Sequence, residues 1–193
     1  MSRTNYIFID FENDPESDLE RIRNKPAKVR FFLGQRNKNL PVKLVNLLLS
    51  FPDQVKLIQT QLDGKNALDF VLACEIGVES EKDPLGYFHI LSRDKGFDAL
   101  VNHLKEKGIL AARHSAFSEI PLLMKVSERV KFLAAYFKAN HSNRPGKRKT
   151  LESQINALFG KALLPEDVAD TIQALLRERI ISLSKDGGIA YRT

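Results

Sequence analysis

One cysteine occurs in 193 residues. A single Cys74 rules out an internal disulfide framework and a zinc cluster built on cysteines. It stands in the apolar run FVLACEIG and is expected to be a small buried hydrophobe. Long hydrophobic runs are missing as well. No stretch is long enough to span a membrane, and the apolar part of MSRTNYIFID is too short for a signal peptide. A cytoplasmic protein of a reducing compartment is therefore expected. The histidines, His89, His103, His114 and His141, show no H-x-x-x-H spacing. There is no G-x-x-x-x-G-K-[ST] loop, which argues against an ATPase, and no G-x-S-x-G elbow. The sequence also lacks internal repeats and low-complexity tracts.

What is present is an ordinary globular composition with a basic tilt. The formal net charge is +6 and the sequence pI about 9.4, which favours polyanionic partners such as nucleic acid. The densest basic cluster is NRPGKRK, where Arg144, Lys147, Arg148 and Lys149 occur with no acid between them. It reads equally as a solvated linker.

Strand-like and helix-like patterns alternate up to about residue 140. YIFID, KVRFFLG, QVKLIQT, GYFHILS and ILAARH read as strands. PESDLERIRN, LPVKLVNLLLSF, KNALDFVLACEIGVES, GFDALVNHLKEKG and EIPLLMKVSERVKFLAAYFKA read as helical, with Gly108 at a C-terminal cap. The alternation predicts an α/β domain over residues 1–140, a parallel sheet with helices on both faces. Residues 141–150 read as a basic linker around the Pro-Gly pair. In residues 151–193, TLESQINALFG and LPEDVADTIQALLRERI read as helices and IISLSKDGGIAYRT as a hairpin, an order that suggests a winged-helix-like α+β module. Thr150 stands at a capping position with Ser153 three residues on. Phe31, Phe32, Phe70, Phe132 and Phe137 sit in apolar runs and are expected in the core.

The chemistry concentrates after the strands. In an open parallel sheet, ligands bind outside the carboxyl ends of the strands, where strand order reverses. Strand one ends at Asp10, with Glu12 and Asn13 following. Strand four is followed by Arg93, Asp94 and Asp98. Strand three leads to Asp63 and Asp69. Carboxylates that meet in space repel, and a divalent cation with oxygen preference relieves them. Such a cation can lower the pKa of a water and stabilise oxygens at phosphorus, which is phosphodiesterase chemistry. Asp94 and Asp63 also stand where helix N-caps stand. Asp10 lies in an apolar run and needs a partner. Lys65 and Asn66 precede the helix of Asp69, where Lys65 can neutralise a phosphate or remain a solvated loop lysine. Gln35, Arg36 and Lys38 follow strand two at the same predicted edge, where they either touch a phosphate backbone or remain solvated loop residues. His114 follows strand five and could line the site, and His89 lies within a strand.

The segments YIFIDFEN, GKNALDFVLACEIG and ILSRDKGFDALVNHL together resemble the PIN-like nuclease superfamily, near its NYN branch. The resemblance runs over roughly Asn5 to His114. It implies a fold with acids at the end of strand one, on a central helix and after strand four, binding of Mg²⁺ or Mn²⁺, and cleavage of RNA, with DNA less expected. By position these acids fall on Asp10, Asp69 and Asp94, with Asp98 or Glu12 assisting. Asn13 falls on the Asn of the D-x-E-N segment, where it orients a ligand or a water. NYN members often read S-G-D-x-D-F after strand four. Here SRDKGFD carries Arg93 in place of the glycine and Gly96 in place of the second Asp. The expected function is a metal-dependent endoribonuclease. The alternative is a weakly active or inactive nucleic-acid-binding regulator on the same fold. The C-terminal piece looks like winged-helix modules that accompany such domains. It would hold substrate or a protein partner, or serve a homodimer. LPEDVADTIQALLRERI begins with acids and offers mainly Gln173, Arg177 and Arg179 to a nucleic acid.

Overall fold

The computed structural model describes residues 3–12, 18–34, 37, 39–61, 64, 66–184 and 187–192. The chain divides into two compact units, Met1–Ile120 and Pro121–Thr193.

In the first unit every expected strand forms: β1 Asn5–Asp10, β2 Ala27–Leu33, β3 Val55–Gln59, β4 Tyr87–Leu91 and β5 Leu110–His114. All four pairings are parallel, in the order β3-β2-β1-β4-β5. The helices are α1 Val42–Leu49, α2 Ala67–Lys82 and α3 Phe97–Glu106. A short 3-10 turn, Leu19–Ile22, follows the first strand. β1 has a strand on each side and is buried at every residue, which is why its sequence is an unbroken apolar run.

Alternation along the strands sorts the core. Tyr6 and Phe8 pack with Phe32, Phe88 and Ile90 under Leu68, Leu72 and Ile76 of α2 and Phe97, Val101 and Leu104 of α3. Tyr6 stacks on Phe88 at 5.0 Å, and Phe8 lies 6.1 Å from Phe32. Burying one such ring stabilises the fold by about 1.5–3 kcal/mol. The odd-numbered positions Ile7, Ile9, Val29 and Phe31 fill the other face and are also inaccessible. Asn5 and His89 belong to that second set. His89 Nε2 lies 2.9 Å from Asn5 Oδ1, and His89 Nδ1 lies 3.0 Å from His114 Nε2. An amide oxygen only accepts, so Nε2 of His89 is the protonated nitrogen. Its Nδ1 then accepts from His114. Burial pushes His89 well below its ordinary pKa, helped by His114, and pushes His114 down to about 4. Both are neutral core groups.

The second unit contains α4 Val126–Ala139, α5 Arg148–Leu158, α6 Pro165–Arg177 and an antiparallel hairpin of β6 Ile181–Leu183 and β7 Ile189–Tyr191. Val130, Leu133 and Phe137 of α4 are buried with Leu151, Ile155, Ile172 and Leu175 of the other two helices. Arg129 of α4 meets Asp167 of α6 at 3.2 Å, with both side chains almost fully covered. Lys147 bridges to Gly188 of the hairpin.

Several expectations are corrected. The boundary falls before α4, not after residue 140, because the apolar stripe of α4 packs on α5 and α6. Residues 141–150 are not a free linker: a 3-10 turn occupies His141–Asn143 and α5 begins at Arg148. Thr150 lies inside α5 and caps nothing; the capping position is Lys147. Cys74 is exposed. Phe70 and Phe132 are 71% and 42% exposed, so neither is a core ring. The turn at Gly187 has a φ of +80°, as the hairpin reading requires. Among the described residues no helix is long and apolar enough to cross a membrane.

Candidate active site

The strand order reverses at β1, whose neighbours β2 and β4 lead the chain in opposite directions across the sheet. Asp10 is the last residue of β1 and is fully buried. Ser92, just past the end of β4, is also fully buried. Its hydroxyl donates to Asp10 Oδ2 at 3.0 Å and accepts from the Asp94 backbone N–H at 3.1 Å. One side chain therefore ties the first acid to the segment of the third. Asp94 in turn accepts from the Gly96 N–H at 2.7 Å through Oδ1. It takes the turn-capping role open to it, with its residue exposed on the sheet's edge.

Asp69 lies in the first turn of α2. Its carboxyl is held above the ordinary range, first by burial and then by the negative charges of Asp10, Asp94 and Glu12. Those four acids therefore share one electrostatic neighbourhood. Glu12 reaches it through a gap left by glycine. A Cβ built on Gly34, at the end of β2, would run into the Glu12 carboxylate.

Asp98 is arranged differently. Arg113 of β5 grips it with Nε to Oδ1 at 2.6 Å and Nη2 to Oδ2 at 3.4 Å, while Nη1 reaches the Ser92 carbonyl at 3.1 Å. That pairing holds the Asp98 carboxyl below its usual range. Asp98 is not among the charges that raise Asp69. Asn66 adopts the left-handed conformation, φ 63°, at the start of α2 and makes no side-chain cap. Arg93 is exposed. Asn13, Arg36, Lys38 and Lys65, with Gln35 and Asp63, lie outside the described residues. His114 turns into the core beside His89.

Sequence reasoning missed Ser92 and Arg113. Each left a signal. Ser92 ends the apolar run YFHIL beside an Arg-Asp pair, and Arg113 is a lone cation inside the strand-like LAARH.

The donor set Asp10, Glu12, Asp69 and Asp94 is all oxygen and anionic, which is the chemistry Mg²⁺ and Mn²⁺ accept. The raised Asp69 carboxyl marks charge that a cation would relieve. Among the described residues no three acids, histidines or cysteines are drawn together tightly enough to grip an ion by themselves.

A parallel sheet of this order, with acids at its switch point, defines an α/β domain that presents a charged site at its carboxyl edge. The PIN domain family model matches residues 4–114, and the chain belongs to that family. PIN domains are typically nucleases. No curated protein and no solved structure gave a match.

Proposed function

We propose that the protein is a metal-dependent endoribonuclease near the NYN branch of the PIN-like superfamily. The observation that supports this most is the raised carboxyl of Asp69, surrounded by the charges of Asp10, Asp94 and Glu12. Asp10, Asp69 and Asp94, with Glu12 assisting, would hold Mg²⁺ or Mn²⁺. The cation, when bound, neutralises charge building on phosphate oxygens and supplies an activated nucleophile at neutral pH. Asp10 is the fixed member, oriented by Ser92. Asp69 carries a carboxyl raised by burial and by its acidic neighbours, charge that a cation would offset. Asp98 acts as a positioning residue, holding Arg113 and through it the Ser92 carbonyl. Asn13, Lys65, Asn66, Arg36, Lys38 and Arg93 would meet the RNA backbone. The residues resembling a winged helix would hold substrate or a partner, in a cytoplasmic setting.

The test is cleavage of labelled single-stranded and structured RNA, and DNA, with Mg²⁺, Mn²⁺ or EDTA. Asp10→Asn and Asp69→Asn, checked for folding by circular dichroism, are expected to lose roughly a hundredfold in rate. Equal cutting by wild type and both variants would refute the site. A second reading, a nucleic-acid binder without catalysis, is favoured by the engagement of Asp98 with Arg113 and by Gly96 at the next acidic position. Metal-independent binding with no cutting would select it.

A further inference from the structure

Charge is divided unevenly between the two units. Met1–Ile120 holds seventeen Lys and Arg against seventeen Asp and Glu. Pro121–Thr193 holds thirteen against seven, so the whole net charge of +6 belongs to the second unit. Within that unit the exposed acids Glu166 and Asp170 stand at the start of α6. The basic residues gather instead at the start of α5.

There the surface opens into a cleft of about 490 Å³, with Tyr136, Ser142, Asn143, Arg144, Thr150 and Gln154 among its walls. Lys147, Arg148 and Lys149, which lie in the chain between the lining residues Gly146 and Thr150, are exposed. Arg148 pairs with Glu152 at 3.0 Å. Among the described residues neither Lys147 nor Lys149 has an acidic partner. The first turn of α5 contains no acid and no side-chain cap, so its N–H groups and dipole add to the positive field. Arg144 is fixed: its Nε donates to the Phe137 carbonyl at 2.8 Å, and its guanidinium lies 5.2 Å from the Tyr191 ring centre. Its Nη2 and the Oε1 of Gln154 have no hydrogen-bond partner among the described residues. Both atoms are buried, so the polar groups the cleft itself presents come from Ser142, Asn143 and Thr150. Tyr136 brings an aromatic face, stacked at 6.5 Å on the half-exposed Phe132.

We propose that this cleft binds single-stranded nucleic acid, with Lys147, Lys149 and the α5 N-terminus on the phosphates and Tyr136 beside a base. Exposed lysines, a polar wall and an aromatic plate are the parts that such sites combine. A duplex reader would place its basic side chains along the second helix of a helix-turn-helix; here the start of α6 is acidic. The site is made only of second-unit residues and does not depend on the nuclease reading.

The test is fluorescence anisotropy of the full chain with short labelled single-stranded RNA and DNA, in EDTA so that no cleavage intervenes. Lys147→Ala/Lys149→Ala is expected to weaken binding roughly tenfold and to reduce the slope of log affinity against log salt by about 2. Lys147→Arg/Lys149→Arg should restore it. Lys105→Ala/Lys107→Ala, which removes two exposed charges from the first unit, should leave affinity within twofold of wild type. Equal affinity for RNA and DNA supports recognition of backbone and base face, and preference for RNA supports it with a 2′-hydroxyl contact added. No binding by wild type, tighter binding to duplex, or equal losses from both lysine pairs would overturn the proposal. Loss of cutting at the acidic site would leave every one of these readouts unchanged.

Discussion

Ser92 and the two buried histidines carry the sharpest consequences of single side chains. Ser92 holds Asp10 with one hydrogen bond and the Asp94 backbone with another. Ser92→Ala removes both and leaves a buried carboxylate oxygen without that donor. If Asp10 works at the site, cleavage should fall roughly 10–100-fold, as for other groups that orient ligands. Stability should drop by only about 1–3 kcal/mol. Unchanged cleavage in a folded variant would remove Ser92 from the machinery. The histidines make a prediction about pH. His89 and His114 are held neutral below their ordinary pKa of 6.5, His114 down to about 4. The unfolded chain binds protons on them first. Their contribution to stability is therefore complete above pH 6.5 and is lost as pH falls towards 4. Urea unfolding across that window should show the loss. His114→Gln keeps an N–H for His89 but does not titrate, so it should flatten the slope. A slope unchanged by His114→Gln would show that the pair is not its source.

At the scale of elements, the five strands were legible because short apolar runs bounded by turns have few other readings in an alternating chain. The acids at their ends were legible for the same reason: Asp10 interrupts a run that is otherwise buried throughout. The surroundings of a helix were less legible. α2 is apolar on nearly every side, so periodicity could not choose a face. The structure buries Leu68, Leu72 and Ile76, which leaves Phe70 and Cys74 two positions away on the outer side. α4 shows a clear apolar stripe, but a stripe says that a face is covered and not by what. The helix TLESQINALFG was legible, and only the first turn of α5, from Arg148, was hidden by its charge. Lys and Arg form helices well, and the Pro145-Gly146 break fixes the start directly after it, so the GKRK run is a helix entrance. The contact between α4 and α6 supports a further prediction. Arg129 and Asp167 are buried together, and Asp167 Oδ2 also accepts the Leu164 N–H at 3.4 Å. Asp167→Ala leaves a buried guanidinium without that carboxylate and should cost about 3–5 kcal/mol. Arg129→Met with Asp167→Leu removes both charges and should recover much of the loss. Thermal midpoints that rank the double variant below the single one would contradict this account.

For the whole molecule, two compact units, each with a cluster of buried side chains of its own, predict two unfolding events. The first unit encloses its sheet between two buried faces, and the second closes three helices around residues from Val130 to Ile181. Each unit contains a different sensitive element. The histidine pair lies in the first, and the buried ion pair lies in the second. Calorimetry on the full chain should therefore give a calorimetric enthalpy larger than the van't Hoff value, or two resolved endotherms. Lowering the pH from 6.5 towards 4 should move the transition of the first unit downward through the histidines. Asp167→Ala at neutral pH should move the other. A single transition displaced by both changes would mean that the two cores unfold as one block. Two transitions, each answering to its own perturbation, would mean that binding by the second unit and chemistry in the first can be altered one at a time. Lysine substitutions at the start of α5 would then weaken nucleic-acid binding without moving the first unit's transition, and Asp69→Asn would lower cleavage without moving the second unit's.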